Sequence, residues 1–517
     1  MTANTVIWKA MEMLMPAAPI KKIVILGGGT AGWLSAAMMA RVLGRTVDIT
    51  LVESDEIGIV GVGEATIPPL VNLLVFLGIN EDDLLKHVQG TFKLGIEFHD
   101  WYEKGHSYGH MFGAPGNPLG VLPFHQYWLR QHQAGKAGSL WDYSLNALAA
   151  QQNRFGRLRT IPNTPNMEGM NYALHFDASL LARYVRGHCE KQGVIRREGK
   201  VSGVNLRGTD GFIESLTLQS GEVISGDFFL DCSGFQGLLI EGALKSGYEA
   251  WTEFLPCDRA WAVPCKAAGP LRPITRTRAH TAGWQWRIPL QHRTGNGHVF
   301  SSAFMEADAA RDILMNNLDG EALAEPRLIS FVTGRRKASW VKNCVSLGLA
   351  SGFLEPLEST SIHLVQSALQ RLAHMFPDTG FNQPEIDEYN RKTKREYELI
   401  RDFLVLHYKA TKRDDSPFWN HCRTMAVPDS LATKIDYFRQ HGRVMVEGDD
   451  LFKEANWVQV LIGQGVMPES FSPLALTVPD DSLADYMAHV RQIYDTLLPK
   501  IPSHADYIAQ YCQAPKG

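Results

Sequence analysis

The chain has 517 residues, of which 51 are Lys or Arg and 55 are Asp or Glu, and 45% are hydrophobic. This composition is typical of a globular protein, and the length suits one large composite domain or a few smaller ones. The net charge of −4 argues against nucleic acid or an anionic membrane as partner, because both favour a basic surface. The seven cysteines are scattered and form no CxxC pair, which favours a reduced, cytoplasmic protein without a metal site.

An uncharged run of eighteen residues, 23–40, raises the question of a membrane-spanning helix. Four glycines within six of its positions make a poor spanning helix. Near the N-terminus, Lys9 and Glu12 interrupt the apolar core that a signal peptide needs. We therefore expect neither a membrane span nor a secretory leader.

The residues around this run predict a nucleotide-binding turn. A strand-forming IVIL precedes a GxGxxG motif, and a helix-forming segment and a second strand follow. The first glycine suits a tight turn, the second a close approach to a pyrophosphate, and the third close packing of helix on strand. Free amides of the helix N-terminus would meet the phosphates, and an acid after the second strand would bind the ribose. The predicted contacts are Gly27, Gly29, Thr30, Ala31, Gly32 and Glu53.

Later segments favour FAD over NAD as the dinucleotide. A glycine-rich stretch follows Glu53, a strand at 228–230 ends in DCSG, and another strand and turn occupy 345–353. Such separated segments suggest one extended cofactor that is contacted from distant parts of the chain. The sequence carries one nucleotide fingerprint, so we expect no dedicated NAD(P)H site. The further predicted FAD contacts are Ala65, Asp231 and Leu349.

Residues 91–101, TFKLGIEFHDW, alternate strictly between two faces. Phe92 and its partners fall on one face, whereas Lys93, Glu97 and His99 fall on the other. Periodicity alone predicts a half-buried strand with a solvated, charged face.

The segment 354–361 precedes an amphipathic helix whose apolar stripe begins at Ile362. Ser359 or Thr360 is a natural N-cap, and Glu358 would then be favoured by the helix dipole. The same turn could instead bind an anion, either a flavin oxygen or a halide, through free amides. The spacing leaves both interpretations open.

The segment WQWRIP at 284–289 places Trp284 and Trp286 on one face of a strand. Such a pair is typical of an aromatic core patch, but it could also wall a reaction chamber and exclude water. The segments 107–113 and 124–128 add further aromatic and imidazole groups.

Taken together, these segments resemble the flavin-dependent halogenases of the tryptophan halogenase family over nearly the full length. WxWxIP is the most specific of them, because it separates halogenases from related single-component flavin hydroxylases. The matching segments are GGGTAGW (27–33), GVGEAT (61–66), the FK pair (92–93), WQWRIP (284–289), EPLEST (355–360) and DSPFW (415–419).

The resemblance implies an FADH2-dependent enzyme with an α/β, FAD-binding Rossmann-like flavin monooxygenase/halogenase fold. A separate NAD(P)H-dependent flavin reductase would supply FADH2, and O2 would then oxidise chloride or bromide to hypohalous acid. The acid would halogenate a small, electron-rich aromatic substrate held away from the flavin. We expect residues 1–395 to form the FAD-binding part, with the WxWxIP strands inserted, and residues 396–517 to form a mainly helical cover over the substrate. A homodimer is compatible with the family.

The resemblance also assigns roles to individual residues. Lys93 would receive or orient the electrophile, and Glu358 would assist it and take the proton lost from the substrate. A free lysine has a pKa of about 10.4, so we expect a hydrogen-bonding ammonium, although an N-haloamine stays an alternative. The implied halide site is Thr360 and Ser361, and the implied substrate-side residues are His110, Phe112, Trp284, Trp286 and Trp457.

The sequence departs from the tryptophan-specific members at two places. The segment 442–465 lacks the tyrosine pair that holds the amino-acid backbone in those members, and Glu447, Asp449 and Asp450 look like an exposed acidic loop. We therefore expect indole or an uncharged indole derivative as substrate. Ser361 also replaces a glycine that many members carry near the halide turn.

Two other functions fit parts of the pattern. An aromatic hydroxylase would use the same flavin without a halide. A non-catalytic FAD-binding sensor or scaffold would need only the fold, and it would leave Lys93 and Glu358 as ordinary surface charges.

Overall fold

The computed structural model describes residues 17–56 and 63–515. Its central six-stranded sheet is parallel except for one edge strand, as a doubly wound nucleotide-binding fold requires. The strands, in spatial order, are Ile195–Glu198, Asp48–Glu53, Lys22–Leu26, Phe228–Asp231, Cys344–Ser346 and the antiparallel Trp340–Val341.

Helix Thr30–Leu43 follows the central strand and covers one face of this sheet, because its alanines and methionines are buried. Helices Ala178–Lys191 and Ser361–His374 pack against it. The predicted strand–turn–helix–strand order of the first sixty residues is therefore confirmed. Gly58 and Gly61 of the glycine-rich stretch lie outside the described residues.

A seven-stranded sheet carries the WQWRIP segment near its middle. It is antiparallel apart from one parallel pair, Gly95–His99 with Thr275–His280. The DSPFW segment closes one end of it, because the Trp419 indole donates to the His280 carbonyl at 2.7 Å. The strands, in spatial order, are Arg327–Ser330, Arg259–Cys265, Thr294–Phe300, Gly283–Pro289, Thr275–His280, Gly95–His99 and Ser107–Met111.

Smaller sheets complete the β structure of the described residues. One of them joins Gly63–Ala65 and Thr91–Lys93 to opposite sides of Ala173–Asp177. The others are Val201–Leu206 with Ile213–Leu218 and Val223–Ser225, Tyr248–Ala250 with Gly334–Arg336 and Gly352–Phe353, and Thr160–Ile161 with Thr164–Glu168.

The expectation of a solvated face along 91–101 is wrong for Lys93. The segment forms two strands in two sheets, Thr91–Lys93 and Gly95–His99, and the Leu94 amide between them donates to the Pro273 carbonyl at 2.8 Å. Both faces of the first strand are covered, and Lys93 is fully buried.

Helices dominate the last third of the described residues, as predicted. Gln383–Lys409 is a single helix that runs across the predicted boundary at 395, so this boundary stays a prediction. All seven cysteines are buried and free. Among the described residues, no helix combines the length and the apolar character needed to cross a membrane. The remaining helices are Pro69–Leu77, Glu81–His87, Phe124–Gln133, Leu145–Gln151, Ala307–Asn316, Pro417–Thr424, Asp429–His441, Glu454–Gly463, Asp480–Leu497 and His504–Tyr511.

Candidate active site

The glycine turn has the geometry that a dinucleotide needs. Gly27 has φ +115°, and a Cβ built on it would lie 2.2 Å from the Cys232 carbonyl oxygen. A Cβ on Gly32 would lie 1.8 Å from the Gly27 carbonyl oxygen, whereas one on Gly29 would meet no heavy atom within 4 Å. The first and third glycines are thus required by packing, and the second faces open space at the start of the helix.

The later segments predicted for the same cofactor meet this turn. Cys232 of the DCSG segment abuts Gly27, and a Cβ on Gly348 would lie 2.8 Å from the Ala31 Cβ, which places Leu349 in the adjoining turn. A Cβ on Gly28 would overlap the carboxylate of Glu53, the predicted ribose ligand. These open amides and neighbouring turns fit FAD.

Asp231 lies in this region with both carboxylate oxygens engaged by the protein. One accepts from the amide and hydroxyl of Ser233 at 3.0 and 2.6 Å, and the other accepts from the Leu239 and Ile240 amides, each at 2.8 Å. These bonds shape the segment after the strand. A direct contact of Asp231 with a cofactor stays a prediction.

Lys93 lies in a buried polar cage next to the predicted cofactor segment. Its Nζ donates to the Thr66 carbonyl at 3.0 Å and to the Ser359 hydroxyl at 2.8 Å, and it lies 5.4 Å from the Phe112 ring centroid. Thr66 directly follows Ala65, the last residue of the adjacent strand. Burial lowers the pKa of Lys93 to about 7, although the nearby Glu358 carboxylate opposes the shift. The pKa therefore lies below that of a free lysine, and the choice between a hydrogen-bonding ammonium and an N-haloamine stays open.

Glu358 is also buried, and two histidines flank it. Its Oε2 lies 2.8 Å from His110 Nδ1 in a hydrogen bond. Its Oε1 lies 2.9 Å from His407 Nε2, but the angles of this contact are too poor for an aligned hydrogen bond. Burial alone would raise the pKa of Glu358, but its contacts with the two histidines outweigh burial and lower the pKa below its usual range.

The turn between these groups carries the predicted halide site. Thr360 is the N-cap of helix Ser361–His374, as predicted, although its side chain makes no capping hydrogen bond. Ser359, which accepts from Lys93, has φ +59°, an unusual value for a residue with a side chain. The start of the helix therefore lies directly beside the lysine.

The comparisons with known proteins agree on one family. The model of the tryptophan halogenase family matches residues 22–480. The tryptophan 7-halogenase RebH of Lentzea aerocolonigenes is 34% identical over 529 residues, which cover 95% of this chain and 98% of that protein. The tryptophan 6-halogenase ThaL of Streptomyces albogriseolus is 33% identical over 530 residues, covering 95% and 98%.

Solved structures give the same result. The flavin-dependent halogenase Xcc4156 from Xanthomonas campestris matches with a TM-score of 0.93 at 46% identity, over 96% of this chain and 100% of that one. BrvH, a flavin-dependent halogenase from Brevundimonas sp. BAL3, matches with a TM-score of 0.92 at 42% identity, over 96% and 99%. The chain belongs to the tryptophan halogenase family. It is a flavin-dependent halogenase, and the family implies FAD, a halide, an aromatic substrate and a flavin reductase.

The two indoles of WQWRIP lie on one side of their strand in this halogenase, as predicted. The ring centroids of Trp284 and Trp286 are 6.1 Å apart, and both residues are buried. The Trp284 indole donates to Glu355 Oε2 at 3.2 Å, and the Tyr408 hydroxyl donates to the same oxygen at 2.7 Å.

Two of the other predicted substrate residues, His110 and Trp457, share an aromatic cluster. The His110 ring lies 5.3 Å from Phe403 and 6.1 Å from Phe452, and Phe403 lies 4.9 Å from Trp457. His110 therefore connects this cluster to Glu358, whereas Phe112 lies beside Lys93.

Sequence reasoning missed several groups around the halogenase site. EPLEST contains two acids, and the sequence pattern indicates a role only for the second, Glu358. The first, Glu355, is fully buried. His407 and Tyr408 lie in an amphipathic helix that looks structural in sequence, and Asn456 lies beside Trp457 without a motif of its own. Of these groups, only Glu355 could have been predicted from the sequence, because it is one of the two acids in EPLEST.

Proposed function

We propose that this halogenase transfers an electrophilic halogen to an uncharged, indole-type substrate, with Lys93 holding the electrophile and Glu358 accepting the substrate proton. The supporting observation is that both side chains are buried in one region, beside the aromatic cluster that contains His110. Bound FAD, reduced by a separate NAD(P)H-dependent reductase, would supply with O2 the oxidising power that converts a halide into hypohalous acid. The glycine turn would hold its pyrophosphate, and the turn at Thr360 and Ser361 would hold the halide.

The lowered pKa of Lys93 supports its proposed contact with the electrophilic halogen. Because its pKa is about 7, both the ammonium and the neutral amine are populated near neutral pH. The ammonium would donate a hydrogen bond to the oxygen of hypohalous acid. The neutral amine could instead attack the halogen, so that the O–X bond breaks, an N–halogen bond forms and water leaves. Both forms hold the halogen close to Nζ, so the ring carbon nearest to it would be halogenated.

Glu358 suits the removal of a proton from the cationic ring intermediate. Its lowered pKa keeps it a carboxylate, whose negative charge would stabilise the ring cation in a cavity of low dielectric constant. The intermediate is a strong acid because deprotonation restores aromaticity, so even a weakly basic carboxylate accepts the proton.

The acids of segment 442–465 support an uncharged substrate. One guanidinium nitrogen of Arg395 lies near the carboxylate oxygens of all three acids. The distances are 2.5 Å to Glu447, 3.5 Å to Asp449 and 3.1 Å to Asp450. Glu447 and Asp449 are exposed, as expected of an acidic loop, but Asp450 is buried. A substrate ammonium group would have to compete with Arg395 for these three carboxylates.

The test is a reconstituted reaction with purified protein, FAD, a flavin reductase, NADH and either bromide or chloride. Indole and tryptophan compete as substrates, and mass spectrometry detects the halogen isotope pattern. We expect halogenated indole from the wild type, no halogenated product from Lys93→Ala, and unchanged flavin oxidation with peroxide release. The exposed Lys86 gives the matched control Lys86→Ala, which should keep the wild-type rate.

Two results would contradict the proposal. Halogenation by Lys93→Ala at the wild-type rate would remove the lysine from the reaction. A faster reaction with tryptophan than with indole would refute the uncharged substrate, and a product that gains oxygen without halogen would indicate hydroxylation.

A further inference from the structure

Asn456 contacts His110 from the helix Glu454–Gly463, and its amide has only one orientation that satisfies its neighbours. Its Oδ1 accepts from the Lys453 backbone amide at 2.8 Å. Its Nδ2 lies 3.0 Å from His110 Nε2. If oxygen and nitrogen were exchanged, the amide NH2 would face the Lys453 N–H, which is also a donor. The Asn456 NH2 group is therefore the one that faces the histidine.

This orientation determines the protonation of His110. Because Asn456 donates to Nε2, that nitrogen must accept and carries no proton. The single ring proton then resides on Nδ1, which lies 2.8 Å from Glu358 Oε2. His110 is thus a neutral imidazole that donates a hydrogen bond to the carboxylate.

His407, the second histidine, also directs a protonated ring nitrogen at Glu358, toward the other carboxylate oxygen. Tyr108 Oη lies 2.9 Å from His407 Nδ1, and burial lowers the pKa of His407, which favours a neutral ring. The Tyr108 hydroxyl, whose own pKa burial raises well above its usual range, then donates to Nδ1. The remaining proton is on Nε2, which faces Glu358 Oε1.

We propose that Asn456 is a positioning residue of the halogenase, which holds His110 in the neutral Nδ1–H tautomer so that Glu358 keeps its full negative charge. This inference rests on the proposed role of Glu358. An imidazolium at position 110 would neutralise the carboxylate and would repel a cationic ring intermediate in the same cavity. A neutral donor orients the carboxylate without that cost.

The charged and titratable neighbours of His110 agree with this assignment. Glu358 contacts it from the turn before helix Ser361–His374, and His407 reaches the same carboxylate from helix Gln383–Lys409. Lys93 interacts electrostatically with the same carboxylate. The groups that pack on its ring, Phe403 and Phe452, are uncharged.

The test measures the protonation of His110 directly, by NMR of the full-length protein labelled with 15N in the histidine rings. The His110 signals are assigned as those absent from His110→Gln. We expect the wild-type Nε2 to show the shift of an unprotonated ring nitrogen near neutral pH. Asn456→Asp turns the donor into an acceptor, so both ring nitrogens should be protonated at the same pH.

The halogenation rate should fall about 10- to 100-fold in Asn456→Asp, with flavin oxidation unchanged. Asn316→Asp is the matched control, because Asn316 is exposed at the end of another helix. A protonated Nε2 in the wild type near neutral pH would overturn the proposal, even if the variant does not fold. An imidazolium in Asn456→Asp with an undiminished halogenation rate would overturn it as well.

The spectrum separates this inference from the proposed function. If Glu358→Gln halogenates normally, the proposed role of Glu358 fails. An Nε2 that is unprotonated in the wild type and protonated in Asn456→Asp would still show that Asn456 sets the tautomer.

Discussion

Glu355 and Glu358 lie three positions apart on one buried turn, and their surroundings shift their acidities in opposite directions. Burial raises the pKa of Glu355 to about 7, against the two hydrogen bonds from Tyr408 and Trp284. At Glu358 the two histidines outweigh burial and lower the pKa. The turn therefore presents one carboxyl group that titrates near neutral pH and one that stays ionised.

Replacing Glu355 by Gln tests this difference through stability. The folded pKa is higher than the unfolded one, so the free energy of unfolding falls as pH rises from about 4.5 to 7, by about 3 kcal/mol. Glutamine cannot ionise and removes this slope. We expect Glu355→Gln to be more stable than the wild type at pH 8 by about 1–2 kcal/mol, and not at pH 5, in urea unfolding.

The exposed Glu385 gives the control Glu385→Gln, which should shift neither midpoint. An equal effect of Glu355→Gln at both pH values would mean that the acid does not titrate in the folded protein.

Lys93 changes the free energy of unfolding with pH in the opposite direction to Glu355, and burying its charge destabilises the fold. Its folded pKa is lower than the unfolded one, so the unfolded chain binds the extra proton between about pH 7 and 10.5, and stability rises with pH across that window. We expect Lys93→Met to be more stable than the wild type at pH 7 by about 1–3 kcal/mol, while halogenation is lost.

The advantage of Lys93→Met should shrink between pH 7 and 9, as urea midpoints at several pH values would show. Lys86→Met serves as the exposed control. A lower stability of Lys93→Met at pH 7 would indicate that the two hydrogen bonds of the amine outweigh the cost of burying it.

The glycine turn could be predicted from sequence because its requirements are local. Gly27 and Gly32 are close in the chain, and the turn that joins strand to helix imposes their spacing. The pair Trp284 and Trp286 was predictable for the same reason, since alternation along a strand decides which side chains share a face.

The surroundings of the reacting groups could not be predicted, because residues distant in sequence supply them. Asn456 reaches His110 across 346 positions, and Ser359 reaches Lys93 across 266. The alternation around Lys93 indicates a solvated face only if nothing covers it, and the covering segments carry no local signal. The low pKa of the lysine follows from that burial.

Glu358→Gln tests the charge of the second carboxylate with little change in shape. The amide cannot accept the substrate proton or stabilise a ring cation, so we expect the halogenation rate to fall about 100- to 1000-fold. Binding of FAD should not change, because the glycine turn is untouched. The measurement is the ratio of halogenated product to peroxide. An unchanged ratio would assign the proton to another base.

The glycines of the nucleotide turn give a matched pair of substitutions with different outcomes. Gly29 has φ −75°, which alanine adopts freely, and its Cβ would meet no protein atom, so Gly29→Ala should fold normally. The added methyl group would occupy the space predicted for the pyrophosphate, and we expect FAD affinity to fall about 10- to 100-fold, measured by flavin fluorescence. In Gly32→Ala the Cβ would clash with the Gly27 carbonyl oxygen, so the protein without FAD should lose several kcal/mol of stability. Wild-type FAD affinity in a folded Gly29→Ala variant would contradict the predicted position of the pyrophosphate.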